Sequence, residues 1–161
     1  MRFVKFIFAI VFMLSVLGCE EAVQGPADTP ARTFSKTCIF VPQKINFNQL
    51  TAFAQPWQIT AYIDMLDQFG SRIKAAGIWQ FELYEYAPRS SKPTGSRLYA
   101  WPEIDLTNAD KNFSLWQDYL RCYKFDLNLE ANLASGKAYI LQAVCFTAEG
   151  KRLTGSFELK L

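Results

Sequence analysis

Three stretches of the chain alternate apolar and polar side chains with a period of two. In residues 57–65, "WQITAYIDM", Trp57, Ile59, Ala61, Ile63 and Met65 share one side, while Gln58, Thr60 and Asp64 take the other. In 77–86, "GIWQFELYEY", Trp79, Phe81 and Leu83 alternate with Gln80, Glu82 and Tyr84. In 152–161, Leu153, Phe157, Leu159 and Leu161 point one way and Arg152, Thr154, Glu158 and Lys160 the other. Successive side chains of a strand leave opposite faces of its sheet, so each stretch predicts a half-buried strand of an antiparallel sheet. Less regular runs at 37–42, 96–101, 121–129 and 138–147 bring the expected strands to about seven.

The punctuation between these runs agrees. "DQFG" (67–70) and "AEG" (148–150) put glycine where a turn wants positive φ, and "APRSSKPTGS" (87–96) predicts a longer polar loop. One helix is expected in 114–121, with Ser114 as N-cap, Gln117 three residues on, and Leu115, Trp116, Tyr119 and Leu120 at helical spacing. No internal repeat appears. Residues 37–161 suffice for one hydrophobic core and not for two. The expected fold is all-β, an antiparallel two-sheet β-sandwich of immunoglobulin-like or transthyretin-like topology, with at most one short helix.

The first 36 residues follow another pattern. Arg2 and Lys5 precede an apolar stretch of about 13 residues, "FIFAIVFMLSVLG", which matches a secretory signal and falls short of a membrane-spanning helix. Residues 20–36, "EEAVQGPADTPARTFSK", are rich in Pro, Ala and small polar side chains, a tether composition. The expected organisation is a signal peptide over 1–18, a modified Cys19 with its tether over 19–36, and the β-sandwich over 37–161.

Between signal and tether, "VLGC" (16–19) resembles the lipobox of bacterial lipoproteins. That resemblance implies cleavage before Cys19, diacylglycerol on its sulfur and an acyl chain such as palmitate on the new amine. Two or three acyl chains hold a protein stably, at about 0.8 kcal/mol per buried methylene, where one holds it marginally. Glu20 is not the aspartate that retains such lipoproteins at the inner membrane, so the resemblance implies the outer membrane. The stretch 61–86, "AYIDMLDQFGSRIKAAGIWQFELYEY", resembles the strand–turn–strand plan of Ig-like and transthyretin-like modules in bacterial surface proteins. Taken together, the chain is similar to small envelope lipoproteins that carry one β-sandwich. The class lends it no catalytic residues.

Removal of the signal changes the charge. The full chain has 17 basic and 15 acidic residues, and Arg2 and Lys5 leave with the first 18, so residues 19–161 carry 15 of each. A neutral domain has no electrostatic footprint for nucleic acid.

The chain has no histidine and no C-x-x-C pair, which argues against a zinc site, a Ser-His-Asp triad or an imidazole-activated thiol. No metal or other cofactor is expected. Cys38, Cys122 and Cys145 remain beside Cys19, so at most one disulfide can form among those three. If 121–129 and 138–147 form a hairpin, matching their apolar faces sets Leu129 opposite Tyr139, Leu127 opposite Leu141, Phe125 opposite Ala143 and Tyr123 opposite Cys145. Cys122 then faces away, and Cys145 is expected in the core as a small hydrophobe. A Cys38–Cys145 bridge stays open.

Carboxylate pairs such as Asp64 with Asp67, or Glu82 with Glu85, have structural explanations as strand-face and turn residues, which leaves a hydrolase as the third reading. Aromatic residues carry the binding hypothesis. Trp57 and Trp79 fall on apolar phases and are expected in the core, and Trp116 on the expected helix. Tyr62, Tyr84 and Tyr86 fall on polar phases and suggest a tyrosine-bearing sheet face, although cross-strand pairing explains them too. Trp101, ahead of Pro102, is the expected exposed ring. The leading expectation is a non-enzymatic envelope module that binds a protein partner or serves structurally. Carbohydrate binding through Trp101 and the tyrosines is the alternative.

Overall fold

The computed structural model describes residues 40–89, 93–130 and 133–161. The signal, Cys19, the tether and Cys38 lie outside the described residues. Residues Thr37–Leu161 form one compact unit. Its elements are β1 (Lys44–Phe47), β2 (Ala52–Gln55), β3 (Gln58–Leu66), β4 (Gly77–Tyr86), β5 (Thr94–Ala100), β6 (Ile104–Asp105), α1 (Ala109–Leu115), β7 (Trp116–Gln117), β8 (Cys122–Asn128), β9 (Ala138–Thr147) and β10 (Arg152–Lys160).

These strands form two antiparallel sheets, as expected. One runs β1–β3–β8–β7, with β2 also on β3; the other runs β10–β9–β4–β5, with β6 also on β4. Lettered along the chain, the orders are A–B–E–D and G–F–C–C′, the arrangement of immunoglobulin-type sandwiches. Tyr139, near the start of β9, donates its hydroxyl to Ala134 O at 2.9 Å, in the manner of the tyrosine corner that closes the E–F connection in that topology.

The period-two reading accounts for the core. Ile59, Ala61, Ile63 and Met65 of β3 and Trp79, Phe81 and Leu83 of β4 are fully buried, as are Leu141, Ala143 and Cys145 of β9. Leu153 and Leu159 of β10 are buried, with Phe157 and Leu161 packed half-buried beside them. The two expected turns form, with Gly70 at φ 79° and Gly150 at φ 80°. Gly77 allows the closest approach between strands, since a Cβ there would lie 2.8 Å from Cys145 Sγ and 2.9 Å from Phe146 O.

Five expectations need correction. Of the strand expected over 37–42, residues 37–39 lie outside the described residues and 40–42 form none, Pro42 lacking the N–H a ladder needs; pairing begins at Gln43 N, which donates to Leu66 O at 2.8 Å. Trp57 is not core. Gln55 pairs with Gln58, so Pro56 and Trp57 form the β2–β3 turn and the indole is 52 % exposed. The helix lies at 109–115 and not at 114–121. Asn108 caps it by accepting from Lys111 N at 3.1 Å, whereas Ser114 Oγ donates to Lys111 O. Trp116 then enters β7, which pairs with β8, and Arg121 completes their turn at φ 54°. Strands β1, β2, β6 and β7 were not expected at all.

The fifth correction concerns the proposed hairpin of 121–129 with 138–147. These segments become β8 and β9 in different sheets. β8 pairs with β3, setting Phe125 opposite Ala61 and Leu127 opposite Ile59, while β9 lies between β4 and β10. Leu129 N donates to Trp57 O at 2.7 Å, which holds the end of β8 to the β3 side before the chain crosses over. Apolar-face matching alone accepted either partner. The stated expectation for Cys145 holds despite the changed neighbour: it is buried opposite Trp79 and Leu153. Burial pushes its thiol up to about 12, so it stays protonated. Cys122 is also buried and free, on the other face of its sheet, and burial raises its thiol as well.

The helix is tied to the core by one polar network. Tyr123 Oη accepts from Ala75 N at 3.0 Å and donates to Asn112 Oδ1 at 2.8 Å, while Asn112 Nδ2 donates to the carbonyls of Ala75 and Leu106, both at 2.9 Å. Asn112→Ala leaves Leu106 O without its donor and the Tyr123 hydroxyl with only the longer 3.2 Å bond to Ala75 O, and stability to unfolding is expected to fall by about 1–3 kcal/mol. Denaturant titration of the two proteins measures the difference.

Candidate functional site

β5 and β6 share one edge of β4, and the link between them, Trp101-Pro102-Glu103, bulges from that edge. Trp101 N still donates to Phe81 O at 3.0 Å, but Pro102 has no donor, so the ladder breaks there. The Trp101 ring leans across the gap between the sheets and donates Nε1–H to Asn128 O of β8 at 2.6 Å. Tyr99 packs edge-on against it, with centroids 4.9 Å apart and planes at 67°. Trp101 is therefore half-buried and anchored, not the freely exposed ring expected from the sequence.

These residues wall an open groove of about 370 Å³ on the flank of the sandwich, with Glu103, Asp126, Asn128 and Glu130 along its rim. Antiparallel residues direct both backbone polar groups to the same side, and Asn128 O points away from β3. Asp126 shares that parity, so its backbone faces the groove, because β7 covers β8 only at Cys122 and Tyr123. On the opposite wall, β5 is the last strand of its sheet. Its pairing with β4 is shifted twice, once at Leu98. Such bulges blunt an edge against strand addition. Recognition here falls to side chains more than to a backbone ladder.

The rim is acidic but partly engaged. Gln80 Nε2 donates to Glu103 Oε1 at 2.6 Å, Thr60 Oγ1 donates to Asp126 at 2.9 Å, and Lys124 lies 3.1 Å from the same carboxylate. Burial, followed by the nearby Glu130 carboxylate, raises the Tyr99 hydroxyl above its ordinary range. Three carboxylates against one lysine favour a positively charged guest. The two rings supply apolar surface and a cation-attracting face.

The three tyrosines expected on one sheet face are separated. Alternation places Tyr62 on the outer face of the β3 sheet, and Tyr84 and Tyr86 on the outer face of the β4 sheet, which is the far side of the sandwich. Tyr84 is committed locally: its hydroxyl donates to Glu82 Oε2 at 2.5 Å, while Arg97 Nη1 donates to Glu82 Oε1 at 2.7 Å.

The carboxylate pairs do not converge either. Asp64 pairs with Arg72 at 3.0 Å, with its Oδ1 unpartnered, and Asp67 Oδ1 caps the turn by accepting from Phe69 N and Ser71 N at 2.8 Å each. Glu85, three residues from Glu82, leaves the other face of β4 and accepts from Ser96 Oγ at 3.0 Å. Among the described residues, no group of three or more Cys, Asp or Glu is placed to hold one metal ion.

Tyr99, Glu103, Asp126 and Glu130 were missed as site residues. The signal for Tyr99 was its position two residues before Trp101, which puts both rings on one side of an extended segment. The acids carried no such signal, since two of them come from β8 and its end, in the other sheet.

No family model matches the chain, and no curated protein matches it. Among solved structures, it is similar to a DUF3823 family protein from Bacteroides uniformis, at 14% identity and a TM-score of 0.43. The similarity covers 73% of this chain and 55% of that one, so this chain spans just over half of that protein's length.

The Tyr84 hydroxyl first, then Arg97, holds the Glu82 carboxyl below its ordinary 4.5, and Glu82 in turn raises Tyr84 above 10.0. The depressed carboxyl contributes stability above about pH 4.5, lost as pH falls through its lower folded value. The raised phenol contributes stability below pH 10, lost as pH rises through its higher folded value. Tyr84→Phe removes the phenol's contribution and the larger share of the carboxyl's, leaving that of Arg97, so melting temperature should fall near neutral pH and vary less in strong acid and alkali. Thermal melts across pH for the two proteins measure this.

Proposed function

We propose that this chain is a lipid-anchored, non-enzymatic module of the bacterial cell envelope that binds a protein partner through the Tyr99–Trp101 groove. Acyl chains on Cys19 hold it to the membrane, the outer one by the Glu20 criterion, and residues 20–36 give it reach. The observation that carries the binding role is the pair of packed rings beside Glu103, Asp126 and Glu130, in a gap that neither sheet closes. Such a groove fits an extended segment bearing Lys or Arg beside apolar side chains. The rings would bury the apolar stems and the rim carboxylates would meet the charged heads.

Carbohydrate binding is the second reading, favoured by one feature, the indole beside Asn128 and acidic side chains. The 67° angle between the rings weighs against it, because a flat sugar face stacks best on coplanar or single open rings.

The test immobilises the solubilised full-length protein and exposes it to detergent extracts of the native envelope and to cell-wall glycans. A specific protein should be retained. Trp101→Ala should weaken its binding at least thirtyfold, the about 2 kcal/mol of an interface hot spot, and Glu103→Gln with Asp126→Asn should weaken it in a salt-dependent way. Glu158→Gln, on β10 at the opposite edge of the sheet from β5, should leave it unchanged. Glycan retention that Trp101→Ala abolishes, with no protein retained, would replace this reading by the carbohydrate one.

A further inference from the structure

A second surface, at the end of the sandwich where the described chain begins, has a different chemistry. Phe40 lies there, next to the β3–β4 loop (67–76) and the β7–β8 turn (118–121). With Arg72, Lys74, Trp116, Asp118 and Arg121 it borders a cavity of about 480 Å³. Four aromatic side chains stand out at this end: Phe40 is 59 %, Phe69 71 %, Phe113 63 % and Tyr119 97 % exposed. Burial of apolar surface does not explain a tyrosine almost wholly in solvent, held on a turn whose Arg121 takes the left-handed φ of 54°.

The cations are interleaved with the rings. Lys74 Nζ lies 4.8 Å from the Phe113 centroid and 5.1 Å from that of Trp116. Arg72 and Arg121 cross over the same gap, with Arg72 Nη1 donating to Leu120 O at 3.5 Å and Arg121 Nη2 to Arg72 O at 3.3 Å. Around the cavity these three cations face two carboxylates, Asp64, which is buried against Arg72, and Asp118, which lies 3.3 Å from Lys74. Further out on this end Lys44, Lys111 and Lys151 stand against Asp67, Asp105, Asp110 and Glu149, so the excess of cations is confined to the cavity itself. Separate exposed rings around a small cation cluster match a bilayer surface, where apolar rings bury shallowly at the interface and Lys and Arg meet anionic lipids.

We propose that this end, bearing Phe40, Phe69, Phe113, Tyr119, Lys74 and Arg121, rests on the headgroups of an anionic membrane surface. The inference rests on the anchored reading above, and chain connectivity favours lipid over protein as the occupant. Phe40 is 21 residues past Cys19. A coil of that length has an end-to-end distance of roughly 25 Å. The surface that Phe40 borders is therefore the part of the domain held nearest the bilayer, at a local concentration that makes weak contacts count. In that orientation the opposite end of the sandwich points away from the membrane and the Tyr99–Trp101 groove opens sideways, accessible to a partner.

The experiment uses the full-length protein purified from membranes and placed in nanodiscs of phosphatidylcholine, with or without phosphatidylglycerol. Intact mass reports acylation of Cys19, and hydrogen exchange reports contact. With Cys19 acylated, amides in 68–75 and 117–121 should exchange more slowly in the anionic discs, by about fivefold for each cation engaged. Lys74→Glu with Arg121→Glu should erase the difference while exchange in β4 and β9 stays as in the parent, which shows that the fold is intact. Equal exchange in both discs on an acylated protein overturns the surface contact and leaves the anchor standing. An unmodified Cys19 overturns the anchor and the contact with it. Protection that appears only in discs made from native membranes, and travels with a co-purifying protein, assigns this end to a protein and overturns the lipid proposal.

Discussion

The sandwich depends on one aromatic cluster clamped between its sheets. Trp79 and Phe81 from β4 meet Phe125 from β8 at centroid distances of 5.1 and 4.8 Å, and Tyr123 closes on Trp79 at 6.0 Å. All four rings are buried. Each large ring removes about 150–250 Å² from water, more than any aliphatic side chain of the core, so these contacts dominate the attraction between sheets. The cluster has one defect. Trp79 Nε1–H has no partner among the described residues, and such a group offsets part of the gain from burying its ring.

The cluster also sets where polar chemistry can stand. Tyr123 brings a hydroxyl into the core that must be satisfied, and Asn112 and Ala75 satisfy it, which draws α1 and the β3–β4 loop against the end of the sandwich. Phe69, Phe113 and Lys74 are thus carried on segments tied to the core from below. At the flank, β8 extends beyond the cover of β7, and Trp101 spans the resulting gap through its bond to Asn128 O. The groove occurs where a sheet of limited width leaves the core's margin open, and the second surface where loops close the strand ends.

Strand phase was legible because it is local. Alternation in 58–66, 77–86 and 152–160 states which side chains point inward, whatever strand lies beside them. The same locality explains the errors. Trp57 has the right phase for the core but stands in the two-residue turn that Pro56 begins, and turn closure outranked hydrophobic phase. For the helix, Asn108 offered a cap and Tyr123 a buried anchor for Asn112, and neither is visible within 114–121.

By itself the sequence determined the half-buried antiparallel strands of an all-β sandwich and its main turns, since period and glycine placement act within a few residues. Tertiary structure alone decided that β8 pairs with β3 and not β9, and that Tyr62 lies across the sandwich from Tyr84 and Tyr86. It also decided that Tyr99 and Trp101 meet acids from the other sheet. Those outcomes depend on which strands become neighbours. An apolar strand face fits many partners equally well, and the choice is made by the packing of the whole core.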